Sequence, residues 1–352
     1  MTTPPYKVLV LSSYIYDEAN ANPYAKMGRR NGWFKGFVKS LVLRGSGLRE
    51  FDVRFQATPA DDRELAALTA ALAPDNTHVV ICPGTDSALR VARFLKHVPM
   101  IYFGAHPESN GMELLLQPNV TGVRLNLPLI WSLENFGLLK AAVPTLKRVY
   151  FPLNTRSAFG FDNVRQAYRS HRAEGGDFWI PGASPWTGYR SLHLMASALG
   201  IEYFEGPYES AQALEEGLER SIPEDSIYVG FNDSVLDDQA TAQLLHFVER
   251  KRALLCWVNN PGIIEHLGFA DFSSDFEAVG RSVGALALRI VRDGESAKDI
   301  PLQPDPGQRL LLNLRTAALH GLAVPGDVVS KFDEIVPAIV PPSLSRPSAV
   351  VS

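Results

Sequence analysis

The sequence predicts an α/β protein of two lobes, each built on a doubly wound, mostly parallel sheet. Six short apolar runs each end in a small polar cluster and give way to a helix-like stretch. They are Val8–Ser13, Val79–Ser87, Met100–Ser109, Val149–Ser157, Ile227–Ser234 and Leu254–Gly262. An unbroken apolar run suits a parallel strand whose sheet carries helices on both faces. Gly, Ser, Thr, Asn and Asp at its carboxyl end open the turn and cap the next helix. The strand–helix rhythm also restarts after about residue 127, giving two successive sets of domain size. With 352 residues there is room for two cores.

The first set begins with strand Lys7–Leu11, a polar loop and an amphipathic helix around Gly32–Leu43. Gly45–Gly47 (GSG) follows that helix and reads as its C-cap, and Asp52–Phe55 reads as a short strand. Thr58 and Pro59 open a helix through about Ala73, with Thr58 as N-cap and Pro59 in the first helical position. Strand His78–Cys82, helix Ser87–Leu95 and strand Pro99–Phe103 complete the set. The second set has helix Pro128–Ala142, stopped by Pro144, then strand Arg148–Phe151 and a helical region within Phe161–Leu199. Strand Ile201–Phe204, helix Ala211–Arg220, strand Ile227–Gly230 and helix Ser234–Lys251 follow. Ser274–Glu277 (SDFE) has capping-box spacing before a helix Asp275–Val291, with Gly294 as its C′ residue. Residues 337–352, rich in Pro and Ser, read as a flexible tail.

Composition narrows the function classes. The chain is 46% hydrophobic and 20% charged, as an ordinary globular protein is, with a net charge of −4 that removes nucleic acid as an expected partner. No run of 18 apolar residues occurs, so no membrane insertion is expected. Met1–Lys7 (MTTPPYK) has no basic-then-apolar leader, so no secretory signal is expected in this chain. Cys82 and Cys256 fall inside apolar runs and read as small buried hydrophobes. CxxC and HExxH spacings, a nucleophile elbow, a phosphate loop and a GxGxxG after a strand are all missing. The expectation is a non-enzyme with no metal and no cofactor.

Several segments resemble one family in order. Phe276–Arg281 (FEAVGR), Ile290–Gly294 (IVRDG) and Asp299–Pro301 (DIP) are similar to a Y-x-x-G-R … I-L-x-G-x-x-P-x-x-I-P stretch. Leu311–Ala317 (LLNLRTA) and Gly321–Pro325 (GLAVP) are similar to V-I-N-L-K-T-A … G-L-x-I-P. Gln117–Val123 (QPNVTGV) is similar to P-G-G-N-V-T-G-V, and Asn135–Ala142 with Pro144 and Lys147–Val149 to L-E-L-L-K-x-L-x-P-x-x-K-R-V. Together, over roughly residues 78–335, they resemble the bacterial ABC-transporter substrate-binding proteins whose characterised members bind amino acids, aromatic ones included.

The resemblance implies a type I periplasmic-binding-protein architecture, two Rossmann-like lobes closing on a small-molecule ligand, with an ABC permease as partner and a periplasmic location. It also implies interwoven lobes: residues 1–125 plus about 272–295 in the first, and 126–271 plus about 296–336 in the second. A stand-alone sensor with a signalling partner, in the cytoplasm, is the alternative that the missing leader favours, and an α/β enzyme is the lesser one. Two stretches depart from the family pattern. The loop Tyr14–Met27 and the long segment Arg156–Tyr189 both leave strand carboxyl ends, where ligands bind in open α/β sheets.

Candidate ligand residues sit at those same ends. A carboxylate calls for N–H groups at a helix N-terminus and nearby hydroxyls. Thr85 and Asp86, in Gly84–Ser87 (GTDS), either meet the ligand, cap the following helix, or do both. Ser13 and Tyr14 form a second cluster, with an ordinary turn as the alternative, and His106 either donates to a carboxylate or is a solvated loop histidine. From the second lobe come Asn154, Phe231, Asn232 and Asp233. Asp233 suits an ammonium group or an N-cap, and Phe231 a planar ligand or the core. Asn259–Gly262 (NNPG) adds to the rim. Tyr14, Tyr16, Trp131, Trp179, Trp186 and Tyr189 concentrate near loops and suggest an aromatic-walled cleft.

Overall fold

The computed structural model describes residues 5–12, 32–45, 48–105, 112–124, 132–154, 162–182, 190–231, 238–258, 264 and 267–338. The first sheet consists of β1 (Tyr6–Ser12), β2 (Phe51–Ala57), β3 (Val79–Pro83), β4 (Met100–Phe103) and β5 (Val120–Val123). All pairs are parallel, in the order β2-β1-β3-β4-β5. Alternate strand residues feed two cores, which is why the strands read as continuous apolar runs. Val8, Val10, Val79 and Ile81 pack on the face of α1 (Trp33–Leu43). Leu9, Leu11, Val80 and Cys82 pack on the face of α2 (Asp62–Ala71) and α3 (Thr85–Phe94).

The second sheet contains β6 (Arg148–Asn154), β7 (Ile180–Pro181), β8 (Glu202–Tyr208), β9 (Ser226–Phe231), β10 (Leu254–Val258), β11 (Ala270–Ser274), β12 (Gln308–Asn313) and β13 (Glu334–Val336). Their order is β13-β12-β11-β10-β9-β6-β8-β7. The run β8-β6-β9-β10-β11 is parallel throughout and repeats the strand order of the first sheet. β12 is antiparallel to β11, and β7 antiparallel to β8. Its helices are α4 (Leu133–Ala142), α5 (Asp162–Ala173), α6 (Arg190–Ala198), α7 (Ala211–Leu218) and α8 (Asp238–Lys251). After β11 come α9 (Phe276–Val291), α10 (Leu314–Leu319) and α11 (Gly326–Val329).

α9 leaves the second sheet and packs on the first lobe. Val279, Val283, Leu286 and Ala287 share a core with Trp33, Phe37 and Leu41 of α1. The two helices touch through backbone: a Cβ on Gly280 would lie 1.8 Å from the Trp33 carbonyl oxygen, and one on Gly36 would lie 1.9 Å from that of Glu277. The first-lobe excursion runs longer than the expected return at about residue 296. Thr121 Oγ1 donates to the Ile300 carbonyl at 3.1 Å, and the Gln303 and Arg124 N–H groups bond to Gly122 and Gln303 carbonyls at 2.9 and 3.0 Å. It also begins later than expected, because Ala270–Ser274 stays in the second sheet.

Three helix starts differ from the expected ones. Asp61, rather than Thr58, caps α2, accepting from the Arg63 and Glu64 N–H groups. Thr58 is drawn inward because its N–H completes a bond to the Ser12 carbonyl at 2.9 Å. Asp275, rather than Ser274, caps α9 by accepting from Ala278 N–H. No capping box forms: Ser274 Oγ donates to Asp305 at 2.8 Å and Glu277 pairs with Lys35 and Lys39 of α1. α4 begins at Leu133, with Ser132 as the cap. The region expected to be helical between 161 and 199 holds two helices separated by the short strand β7.

Candidate functional site

The chain leaves β1 toward α1 on one face of the first sheet, and leaves β3 toward α3 on the other. Two neighbouring strands whose connections part in this way open a crevice at their carboxyl ends. The second sheet repeats the arrangement. From β6 the chain reaches α6, whose Leu192 and Ala196 lie in one core, while β9 leads to α8, whose Leu244 and Val248 lie in the other. Each lobe thus has one such switch point, β1/β3 in the first and β6/β9 in the second.

The first switch point is shaped by two adjacent turns. Gly84 has φ 81° and Gly104 φ 68°, a region that favours glycine. The Gly84 N–H donates to the Phe103 carbonyl at 2.8 Å, so the ends of β3 and β4 are tied together. Thr85 and Asp86 are the first residues of α3, and Gly84 rather than either of them holds its N-cap position. Thr85 is buried, and the Asp86 carboxylate lies 4.0 Å from Arg90 one turn further on. Ser87 is buried against Thr58, Oγ to Oγ 3.2 Å. Since Thr58 also binds the last residue of β1, one buried threonine joins the ends of β1 and β2 to the start of α3. Sequence reasoning assigned Thr58 to a cap and missed this role, which depends on a partner 29 residues away.

At the second switch point, Asn154 ends β6 opposite Tyr208, and Phe231 ends β9 opposite Val258. Ser13, Tyr14, His106, Asn232, Asp233 and residues 259–262 lie outside the described residues, as do the loop 14–27 and residues 155–161 and 183–189 of the long segment. The structure therefore places Thr85 and Asp86 at the first switch point and the backbone of Asn154 and Phe231 at the second.

Polar side chains that the sequence reading passed over gather where the chain crosses between lobes. Asp271 of β11 is fully buried and accepts from Ser273 Oγ. Asn135 of α4, also fully buried, donates to Gln308 at 2.8 Å. The aspartate beside Ala270 and Phe272 in the strand Ala270–Ser274 was the available signal. Aromatic side chains also collect at the first lobe's strand ends: Trp33 lies 5.1 Å from Phe103, and Phe34 5.3 Å from the half-exposed Phe55. Trp179, expected at the cleft, is core instead, its indole N–H donating to Gly217 at 2.8 Å; Tyr14, Tyr16, Trp131, Trp186 and Tyr189 lie outside the described residues. Cys82 and Cys256 are fully buried free thiols whose pKa burial pushes far up. Among the described residues no group of His, Cys, Asp or Glu could hold a metal, and no helix is long and apolar enough to cross a membrane.

Comparison with solved structures adds the fold. An ABC domain from Streptococcus pneumonia in complex with L-Trp matches with TM-score 0.67 and 16% identity, covering 94% of this chain and 99% of that one. A substrate binding protein with adhesive properties from Clostridium difficile, in its ligand-free open form, matches with TM-score 0.58 and 17% identity, covering 92% and 97%. A probable maltose operon transcriptional repressor from Staphylococcus aureus matches with TM-score 0.57 and 12% identity, covering 88% and 97%. No protein-family model matches the chain, and no curated protein matches it in sequence. The chain has the two-lobe type I periplasmic-binding-protein fold, as the repeated strand order and these neighbours together show.

Proposed function

We propose that this chain is a small-molecule-binding protein that closes on its ligand between the two lobes. The observation that carries the reading is the repeated strand order, which gives each lobe one crevice at a β-strand switch point. A ligand that touches both crevices stabilises the closed state by its differential affinity for it. An amino acid or related carboxylate is the proposed class. The start of α3 offers a helix N-terminus and the Thr85 hydroxyl to a carboxylate, and Asp233 would take the ammonium. The L-Trp complex of one neighbour supports that class.

The proposed role is the substrate-binding component of an ABC transporter, working in the periplasm with a permease. The ordered motifs from Gln117 to Pro325 and the substrate-binding neighbour support it. A ligand-sensing regulator is the second reading, favoured by the likeness to a transcriptional repressor. Adjacent permease and ATPase genes would decide for the transporter. Binding, not catalysis, is the proposed activity, since the strand ends offer hydroxyl and N–H donors without a nucleophile–base pair among the described residues. A thermal-shift screen of amino acids, small carboxylates, nucleosides and sugars tests the proposal. A ligand at 100 times its dissociation constant adds about 2.7 kcal/mol of stability. A raised midpoint with amino acids or carboxylates is expected; a flat response to every class contradicts the reading.

A further inference from the structure

A second concavity lies away from the β1/β3 switch point, at the β5 side of the first lobe. Its volume is about 320 Å³, and Tyr102, Met112, Leu115, Leu302, Glu113 and Arg124 are among its lining residues. That volume is of the size that holds a small ligand. The hydrocarbon walls come from three separate places in the chain: β4, the 3-10 turn Met112–Leu116, and the returning segment that carries Leu302. The concavity is therefore lined from separate stretches of the chain.

Two polar groups at this wall lack partners. Tyr102 is buried as a residue, but its phenol oxygen is not among the sealed-off polar atoms, and it makes no hydrogen bond among the described residues. Arg124 forms no ion pair among the described residues, although Glu113 lines the same concavity. The Arg124 charge opposes the upward push that burial gives the phenol's pKa. A phenol hydroxyl and a guanidinium lining one apolar concavity offer two donors to a single carboxylate, while the hydrocarbon walls suit an apolar body. Glu113 on the rim disfavours a second negative charge by like-charge repulsion.

We propose that this concavity is a second binding site, which takes a monocarboxylate with a compact apolar body. The carboxylate accepts from Arg124 and from the Tyr102 hydroxyl, and the body lies on Met112, Leu115 and Leu302. Tyr102, Leu115 and Leu302 place this site on the α3 face of the first sheet.

The probe is 4-phenylbutyrate, titrated calorimetrically against the whole chain beside neutral 4-phenylbutanol. Saturable binding of the acid is expected, with the alcohol at least fivefold weaker. Arg124→Met, at an exposed position, and Leu302→Trp, which fills the cavity, should each weaken the acid at least fivefold while the melting midpoint stays near that of the wild type. Tyr102→Phe should weaken it less. Absence of binding to the wild type overturns the proposal. So does equal binding of acid and alcohol, or unchanged binding in both Arg124→Met and Leu302→Trp.

Discussion

Replacing Gly280 by alanine should destabilise the protein, although alanine is the better helix former. Gly280 lies inside α9, where the exchange alone would stabilise the helix by about 0.8–1.0 kcal/mol. Its new Cβ, however, would stand 1.8 Å from the carbonyl oxygen of Trp33, 2.5 Å from the carbonyl carbon and 2.7 Å from Cα. All three atoms are backbone, so no side chain can swing away. α1 and α9 would have to part by roughly 1.5 Å to restore van der Waals contact, loosening the packing of Trp33, Phe37, Val283 and Ala287 between them. Overpacking costs about 1–3 kcal/mol, and three backbone atoms this close put the clash in the upper part of that range, so it outweighs the propensity gain and leaves a net loss of about 1–2 kcal/mol. Gly137 of α4 is the matched control, because nothing lies within 4 Å of a Cβ built there. Gly137→Ala should stabilise by about 0.5–1 kcal/mol. Urea denaturation of the two variants reads both signs. A Gly280→Ala protein at least as stable as the wild type would refute the backbone-to-backbone contact of α1 and α9.

Thr58→Val keeps the shape but removes the bond to Ser87, and should lower stability by about 1–2 kcal/mol in the same assay; a neutral result would deny the bridge between strand ends. Glu277, held by Lys39 and Lys35 at a pKa of about 2, should give stability that is complete above the ordinary carboxylate range and lost as pH falls from about 4.5 toward 2. The pairs are partly exposed, so the effect stays below about 1 kcal/mol, and Glu277→Gln should flatten that part of the pH–stability curve. Cys82 and Cys256 should resist a thiol reagent in the folded protein and react only on unfolding; fast reaction in native buffer would contradict their burial.

The strands of this fold are legible because burial on both faces leaves few alternatives to an apolar run. Val79–Cys82 has no exposed residue, and its end at Pro83 and Gly84 is marked by the residues that make the turn possible. The six apolar runs correspond to β1, β3 and β4 in one sheet and β6, β9 and β10 in the other. Contacts set by distant partners were not legible. Thr58 and Asp61 are both good caps by type, and only the proximity of Ser12 and Ser87 draws Thr58 inward. In Ser274–Glu277 the capping spacing is present, but Asp305 and two lysines of α1 take the side chains that would form the box. Gly280 and Gly36 read as ordinary helix weaknesses, since their value lies in a helix more than 200 residues away. At the site, the polar ends of strands all look alike in sequence. The strand order puts Thr85, Asp86 and the strand-end positions Asn154 and Phe231 beside a switch point.

The central claim is that one ligand bridges both lobes. The most direct measurement is the dissociation constant of the tightest hit from the thermal-shift screen, for the wild type, Thr85→Val and Asn154→Ala. Loss of one hydrogen bond to a bound polar ligand corresponds to roughly 1 kcal/mol, or about fivefold. Weakening by about that factor in each variant is predicted. Weakening in one variant with wild-type affinity in the other would place the ligand on a single lobe and contradict closure around it.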